Sequence, residues 1–380
     1  MAGDGAPAGL PLMSVIVPVA DGEQLLGACL EGLCASDLPR ALWELVVVDD
    51  GSLDGTATVA ATVADVVIRL PGPPQGPAYA RNRGVEASLG DIVVFVDPEV
   101  RVHAEALRRI LWCFAKDAAL GAVFGSYDAD PPGSNVGSQF HYLREHMEHR
   151  RGAGAAESFW AGLGAVRREA FARAGRFDEW YFPRPQIEDA EFGFRLRALD
   201  YRILLDPGIA GAPLKRWGLR SLLAAEMRDR VVPWVRLRLA VGRVRRRGTL
   251  RFRPGEWVNT WLVCGAVLLV LLALRLGMPA LIDIAGLGIV TVLVLNLNLY
   301  RFLVARRGPW FAVRVIPVHL LGYLCTGVAA VWAWILFHVI GSPAPPPDIQ
   351  AYAERGFKTW PPLPAKAEGT SWVGGRELRP

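Results

Sequence analysis

Three long apolar runs near the C-terminus constrain this chain more than any other feature. Residues 257–274 (WVNTWLVCGAVLLVLLAL), 284–300 (IAGLGIVTVLVLNLNLY) and 315–341 (VIPVHLLGYLCTGVAAVWAWILFHVIG) hold no Asp, Glu, Lys or Arg. A bilayer core is about 30 Å thick, which roughly 20 apolar helical residues cross. The expected membrane region is 255–341, with spans near 256–275, 280–300 and 313–340. Buried helices of a soluble domain are the alternative. Asn259, Asp283, Asn296 and His319 interrupt individual runs but not the pattern.

Charge adds an orientation. The chain of 380 residues carries a net +5, but unevenly: from Arg228 to Arg253 there are ten arginines and one acid, Asp229. Arginines alternate with Leu, Val and Trp through much of 216–254. That segment reads as basic amphipathic helices lying on an anionic membrane surface, with long side chains reaching the headgroups. A nucleic-acid partner is disfavoured, because no nucleic-acid-binding motif accompanies the arginines and an apolar span follows them. The positive-inside tendency puts this segment, and the loop with Arg301, Arg306 and Arg307, in the cytoplasm. Three spans would then leave the Pro-rich tail, 342–380, outside and extended. Residues 1–12 lack the basic and apolar regions of a secretory signal and are expected to be unstructured. The expected location is a cell's inner (plasma) membrane, multi-pass, with the preceding domain cytoplasmic. Five cysteines, Cys29, Cys34, Cys113, Cys264 and Cys325, form no C-x-x-C pair. The first three are expected to be buried free thiols, as suits a reducing compartment.

Residues 13–215 follow a different grammar. SVIVPV, ELVVVDD, DVVIRL and DIVVFVD read as strands; EQLLGACLEGLCAS, DGTATVAATVA and PAYARNRGVEASLG between them read as helices, the second with Asp54 as a plausible N-cap. This order implies an α/β fold with a mostly parallel sheet covered by helices. Ligands in such sheets bind beyond the carboxyl ends of the strands. Two strands end there in acids: Asp49-Asp50 before Gly51-Ser52, and Asp97-Pro98-Glu99. Carboxylates on such a loop suit a hard divalent cation, which prefers oxygen ligands. An ordinary acidic helix N-terminus accounts for the second pair equally well.

Four motifs in order resemble the family 2 glycosyltransferases of GT-A (Rossmann-like) fold: VVVDDGSLDGT (46–56), ARNRGV (80–85), Asp97-x-Glu99 and IEDAEFGFRLR (187–197). FWAGLGAVRREAFARAGRFDE (159–179) is similar to that family's acceptor-side segment, and the resemblance runs from about Ser14 to about Trp234. The resemblance implies that Pro18, Asp49, Asp50, Gly51 and Ser52 hold the base and ribose of a nucleotide-sugar donor, with Arg81, Asn82 and Asp97 nearby. It implies Mg²⁺ or Mn²⁺ on Asp97 and Glu99, although the family usually has Asp at the second position. It implies Asp189 as catalytic base beside Glu188, and Trp160, Gly162, Lys215, Arg216 and Trp217 on the acceptor or diphosphate side. Membrane-linked members often carry His before Lys-Arg-Trp; here that slot holds Pro213.

The function implied is a membrane-anchored, metal-dependent, inverting glycosyltransferase acting on a lipid-linked or membrane-proximal hydroxyl, in cell-envelope polysaccharide or glycolipid synthesis. A polyprenyl-phosphate sugar synthase is the runner-up. A non-catalytic membrane scaffold with a decayed transferase domain is the alternative from another class. A nucleotidyltransferase is disfavoured, because no Gly-rich, Lys/Arg-bearing loop follows the first strand.

Overall fold

The structure is a computed structural model that describes residues 12–133, 135–241, 254–341 and 371–372. It divides into two compact units, one comprising residues 1–131, 148–215 and 344–380, the other 132–147 and 216–343.

In the first unit, β1 (Met13–Val19), α1 (Glu23–Cys34), β2 (Trp43–Asp49), α2 (Thr56–Ala60), β3 (Val66–Arg69), α3 (Pro77–Glu86) and β4 (Ile92–Val96) alternate as the apolar runs require. Here β3, β2, β1 and β4 lie side by side and parallel. Each is buried on both faces except at the ends of β3 and near the start of β2, hence the unbroken Val/Ile runs. The expected mostly parallel sheet is in fact mixed. β5 (Val100–Val102) begins just beyond Asp97-Pro98-Glu99, too soon for a parallel crossover of a dozen or more residues. It pairs antiparallel with a distant strand instead. After α4 (Ala106–Lys116) and β6 (Leu120–Tyr127), α5 (Val136–Arg151) leads to β7 (Gly154–Ala156), β8 (Leu163–Arg167), α6 (Arg168–Arg173), α7 (Glu188–Ala198) and β9 (Arg202–Pro213). β8 runs antiparallel to both β4 and β6, and β9 runs parallel to β6. β5 and β7 both pair antiparallel with β9.

Five phenylalanines knit this unit around its working edge. Phe95 contacts Phe159, Phe171 and Phe177 at centroid distances of 6.5, 5.7 and 5.1 Å; Phe192 contacts Phe159, Phe171 and Phe177 at 5.8, 5.3 and 5.0 Å. Tilted and edge-on pairs of this kind each contribute about 0.5–1.5 kcal/mol beyond burial. Phe95 precedes Asp97 by two positions, Phe159 precedes Trp160, and Phe192 follows Asp189 by three. The cluster therefore fixes three acid- or aromatic-bearing segments against one another. Of the expected buried thiols, Cys29 and Cys113 are buried but Cys34 is exposed at the end of α1; all five cysteines are free. Asp54 lies just outside α2, whose N-cap is Gly55, and accepts from the Thr56 amide at 3.0 Å.

The second unit holds most of α5, up to Met147, then α8 (Leu219–Ala225), a π-helical stretch (Glu226–Val231), α9 (Val232–Val241), α10 (Pro254–Leu276), α11 (Ala280–Leu295), α12 (Leu297–Arg307) and α13 (Pro309–Val339). α10 and α13 are long and apolar enough to cross a bilayer. The expected middle span, 280–300, is not one helix: α11 and α12 meet at Asn296 with a 61° bend. Asn296 suits the break because its Nδ2 donates to the Val292 carbonyl at 2.9 Å and its Oδ1 accepts from the Tyr323 hydroxyl at 3.3 Å. Asn259 donates to the same hydroxyl at 3.0 Å. Helix direction follows from such pairs. Asn259 meets Tyr323, and Gly327 lies against Cys264, so α10 and α13 run parallel. Only residues 277–279 separate α10 from α11, and Val263, well before the end of α10, packs with Val292, well past the start of α11, so α11 runs back alongside α10. Arg243, Arg245, Arg246 and Arg247 of the basic segment lie outside the described residues, as does the expected unstructured N-terminus.

A two-residue strand, β10 (Ser371–Trp372), pairs antiparallel with β3 in the first unit. That pairing runs against a tail on the far side of a membrane. Its few hydrogen bonds stabilise by about 0.5–1.5 kcal/mol each. Arg236 Nη2 also donates to the Gly341 carbonyl at 3.0 Å, so both contacts set residues that follow α13 against elements that precede α10.

Candidate active site

The site is assembled where β1, β2 and β4 end. The Asp49 carboxylate, buried at the end of β2, accepts the Ser52 amide at 2.9 Å, and Gly51 between them has φ +72°. A Cβ on Gly51 would lie 2.3 Å from the Gly72 carbonyl oxygen, so conformation and space both demand glycine there. The Ser52 hydroxyl accepts the Asp21 amide at 2.9 Å. The Asp50 carboxylate accepts the Gln75 amide at 3.0 Å and the Gly76 amide at 2.7 Å, tying the turn to the loop before α3. Burial raises the Asp50 pKa, those amides pull it back, and the Asp49 charge adds to the rise. Pro18 sits in β1 opposite Val48.

Arg81, on α3, is the hinge of the arrangement. It is 4% exposed; Nη2 donates to Asp97 Oδ1 at 2.7 Å and Nη1 to Glu188 Oε1 at 2.8 Å. Burial would lower its pKa, but the charges of Asp97, Glu188 and Asp189 outweigh it and hold the guanidinium above its ordinary value. One cation thus joins the loop after β4 to the first turn of α7. Asn82 turns away from these acids: its Nδ2 donates to the Phe177 carbonyl at 3.0 Å and to Glu179 at 2.8 Å, and its Oδ1 accepts the Phe177 amide at 3.2 Å. It fixes the loop that feeds α7.

Asp189 lies at the second position of α7. Its Oδ2 accepts the Ala161 amide at 3.0 Å and its Oδ1 the Ala190 amide at 2.7 Å. Burial, then the neighbouring Glu188 charge, raise its pKa; the Ala161 amide, Arg81 and the Ala190 amide only partly offset them. A carboxylate raised toward neutrality holds a proton more readily than an ordinary one, which suits general-base chemistry. Glu188 is occupied by Arg81 and by the Gln186 amide at 2.9 Å. Glu191 is bound to Arg195 at 2.7 Å.

The 160–162 segment forms another side. Trp160 packs between Tyr127 (4.9 Å) and His149 (5.5 Å). A Cβ on Gly162 would lie 2.4 Å from the Trp160 ring, so that glycine makes room for the indole. The Gly162 carbonyl accepts the Asp97 amide at 3.0 Å, and Trp160 and Asp97 are thereby set from one strand pair, β4–β8. Glu99 pairs through Oε2 with Lys215 Nζ at 3.0 Å. Arg216 and Trp217 belong to the second unit, where the Trp217 indole donates to the Tyr142 hydroxyl at 3.1 Å and its amide to Ser138 at 3.2 Å.

Asp97 and Glu99 are the acids at this edge that could hold a divalent cation. Both are hard oxygen donors and both are partly exposed, at 25% and 24% of their side chains, which fits such an ion. No group of three or more His, Cys, Asp or Glu side chains gathers anywhere among the described residues, so water and an incoming ligand would complete the coordination.

Residues 14–175 match the sequence model of the family described as glycosyl transferase family 2. The chain carries a family 2 glycosyltransferase domain. Glycosyltransferase AglE of Haloferax volcanii is 36% identical over 104 residues, which are 26% of this chain and 34% of that protein. The poly(ribitol-phosphate) beta-glucosyltransferase of Bacillus spizizenii is 29% identical over 102 residues, 26% of this chain and 16% of that protein. The chain thus spans about a third or less of these relatives. Among solved structures, mannosyltransferase PcManGT of Pyrobaculum calidifontis, in complex with GDP-Man and Mn²⁺, superposes with a TM-score of 0.53 at 20% identity, covering 86% of this chain and 88% of that one. That likeness concerns the fold, which is GT-A.

The glycosyltransferase domain brings together more than the motifs named. Arg81 as the shared counter-ion, the Ala161 amide on Asp189 and the Tyr127–His149 bracket of Trp160 carry no signature in the sequence, because each joins separate elements, Arg81 reaching Glu188 across 107 positions and Ala161 reaching Asp189 across 28. The Gly162-x-Gly164 pair was the one readable hint of close packing there.

Proposed function

We propose that this chain is a membrane-anchored, inverting glycosyltransferase that moves a sugar from a nucleotide-diphosphate donor to a hydroxyl of a lipid-linked or membrane-proximal acceptor. The observation that carries the reading is the single guanidinium joining Asp97 to the α7 terminus at 2.7 and 2.8 Å, which keeps a candidate donor-side acid and a candidate base in one assembly.

The chemistry follows from the groups. The acceptor hydroxyl oxygen attacks the anomeric carbon; the carbon–oxygen bond to the diphosphate breaks, its electron pair leaving with the diphosphate. The hydroxyl proton passes to Asp189, and attack opposite the leaving group inverts the centre. Asp49, Asp50 and Ser52 shape the turn for base and ribose. Trp160, held by its aromatic neighbours, offers a flat apolar wall to the acceptor. Asp97 and Glu99 would hold Mg²⁺ or Mn²⁺, which when bound supplies charge neutralisation for the diphosphate.

Membrane anchorage is supported by α10 and α13. Because they run parallel, the chain between them must return through the same thickness. α11, with 16 residues, rises about 24 Å and supplies that return. Arg236, ahead of α10, nonetheless donates through Nη2 to the Gly341 carbonyl, just past α13, at 3.0 Å, which sets the end of α13 beside the segment that leads into α10. The basic segment before α10 would face the cytoplasm with the catalytic domain.

The test is donor screening on full-length protein in lipid, with mass spectrometry of membrane extracts. A single hexose or aminohexose added to a membrane acceptor, lost in Asp189→Asn, is expected. Transfer to a polyprenyl phosphate that survives Asp189→Asn would favour a phosphate acceptor instead; donor binding without any transfer would favour a scaffold.

A further inference from the structure

The two places where this sequence departs from the family pattern, Glu99 and Pro213, meet in space. Val100 pairs with Pro213 in the β5–β9 register. The Leu214 amide donates to the Glu99 carbonyl at 2.7 Å, and Lys215 Nζ reaches Glu99 Oε2 at 3.0 Å. The backbone pairing presents Lys215 to Glu99 directly, and the extra methylene of Glu over Asp extends the carboxylate toward it. The two acids proposed to hold a cation are thus neutralised differently. Asp97 faces the buried guanidinium of Arg81, whose side chain is 5% exposed. Glu99 faces an ammonium whose side chain is 39% exposed, on a flexible stem at the end of β9. Burial screens the first pair little and fixes it; exposure to water makes the second weak and exchangeable.

We propose that Lys215 is an exchangeable counter-ion: it occupies Glu99 before a divalent cation arrives, is displaced when the cation binds, and then offers its charge to the diphosphate of the donor. Pro213 takes the usual His slot without loss of a cation there, because the next basic side chain is stored on the metal-binding acid. This rests on the reading of Asp97 and Glu99 as metal-binding. It makes metal binding and exposure of Lys215 two faces of one equilibrium, so each must change the other.

The sequence simplifies the test, because its lysines are Lys116, Lys215, Lys358 and Lys366. Full-length protein in nanodiscs is titrated with Mn²⁺, free ion being followed by electron paramagnetic resonance, for wild type and Lys215→Met. In parallel, wild type is acetylated with and without Mn²⁺ and the lysines are quantified by mass spectrometry. Removing a competing, half-exposed ion pair should tighten Mn²⁺ binding roughly two- to fivefold in Lys215→Met. Acetylation of Lys215 should rise with Mn²⁺ while Lys116, which lies over the Trp112 ring, stays constant. If wild type binds Mn²⁺ but only one of these changes occurs, or neither, the exchange is refuted and the metal site stands. If wild type binds no Mn²⁺, the metal reading fails and takes the exchange with it.

Discussion

Arg81→Met is the most searching perturbation of the site, since it removes one charge and leaves two behind. The side chains of Arg81, Glu188 and Asp97 are 5%, 4% and 25% exposed. Removing one partner of a buried ion pair costs about 3–5 kcal/mol, because the remaining charge stays buried. Water screens part of the Asp97 share, so the lower end, about 3 kcal/mol, is the working figure. For a unit of this size each kcal/mol moves Tm by about 2–4 °C, giving a fall of about 6–12 °C. The assay is thermal unfolding of the full-length protein in detergent, followed by near-ultraviolet circular dichroism. The decisive arm is the double variant Arg81→Met/Glu188→Gln, which removes the stranded acid and should recover at least half of the loss. A second reading uses pH. Arg81 draws the Asp189 pKa down, so its loss should move the lower limb of the pH–rate profile to higher pH. A Tm within 2 °C of wild type, or no recovery in the double variant, would show that the guanidinium is not the counter-ion that holds these segments together.

Asp189→Asn should lower turnover by roughly 10²-fold or more with little change in donor affinity, read by steady-state kinetics. The same variant should be more stable than wild type at pH 8: the folded pKa of Asp189 is raised, so its contribution is fullest below the ordinary carboxylate pKa of about 3.9 and is lost as pH rises through the folded value. Equal Tm values at pH 8 would show that the carboxylate pays no burial cost. Gly162→Ala should cost about 1–3 kcal/mol and blunt acceptor turnover more than donor hydrolysis, because its Cβ would displace Trp160; unchanged acceptor kinetics would argue that the indole does not face the acceptor.

The sequence revealed the parts of the fold that rest on local pattern. Val/Ile runs gave β1, β2, β3 and β4, and length with hydropathy gave α10 and α13. What it concealed depended on pairing between distant segments. Nothing local in Leu163–Arg167 says that this strand runs antiparallel between β4 and β6. The 280–300 run looked continuous because Asn is uncharged, yet Asn296 ends α11 by bonding its own helix and the Tyr323 hydroxyl. The thiol of Cys34 has the same apolar neighbours in sequence as that of Cys29, and only the helix face on which each falls separates exposed from buried.

The site shows the same division, with a consequence for how its residues should be ranked. Motif position put Arg81 and Asn82 together, since they are adjacent in the chain. On a helix, neighbours point about 100° apart, and here that separates two jobs. Arg81 faces the acids, while Asn82 grips the loop at Phe177 and Glu179. Asn82→Ala should therefore act on stability and on the placement of α7, whereas Arg81 variants act on charge. The distinction also bears on Asp189. Its position depends on the loop that Asn82 secures, on the aromatic cluster around Phe177 and Phe192, and on the Ala161 amide set by β8. Three independent supports for one raised carboxylate are what a base needs, because its proton affinity is useful only if its oxygen stays where the acceptor arrives.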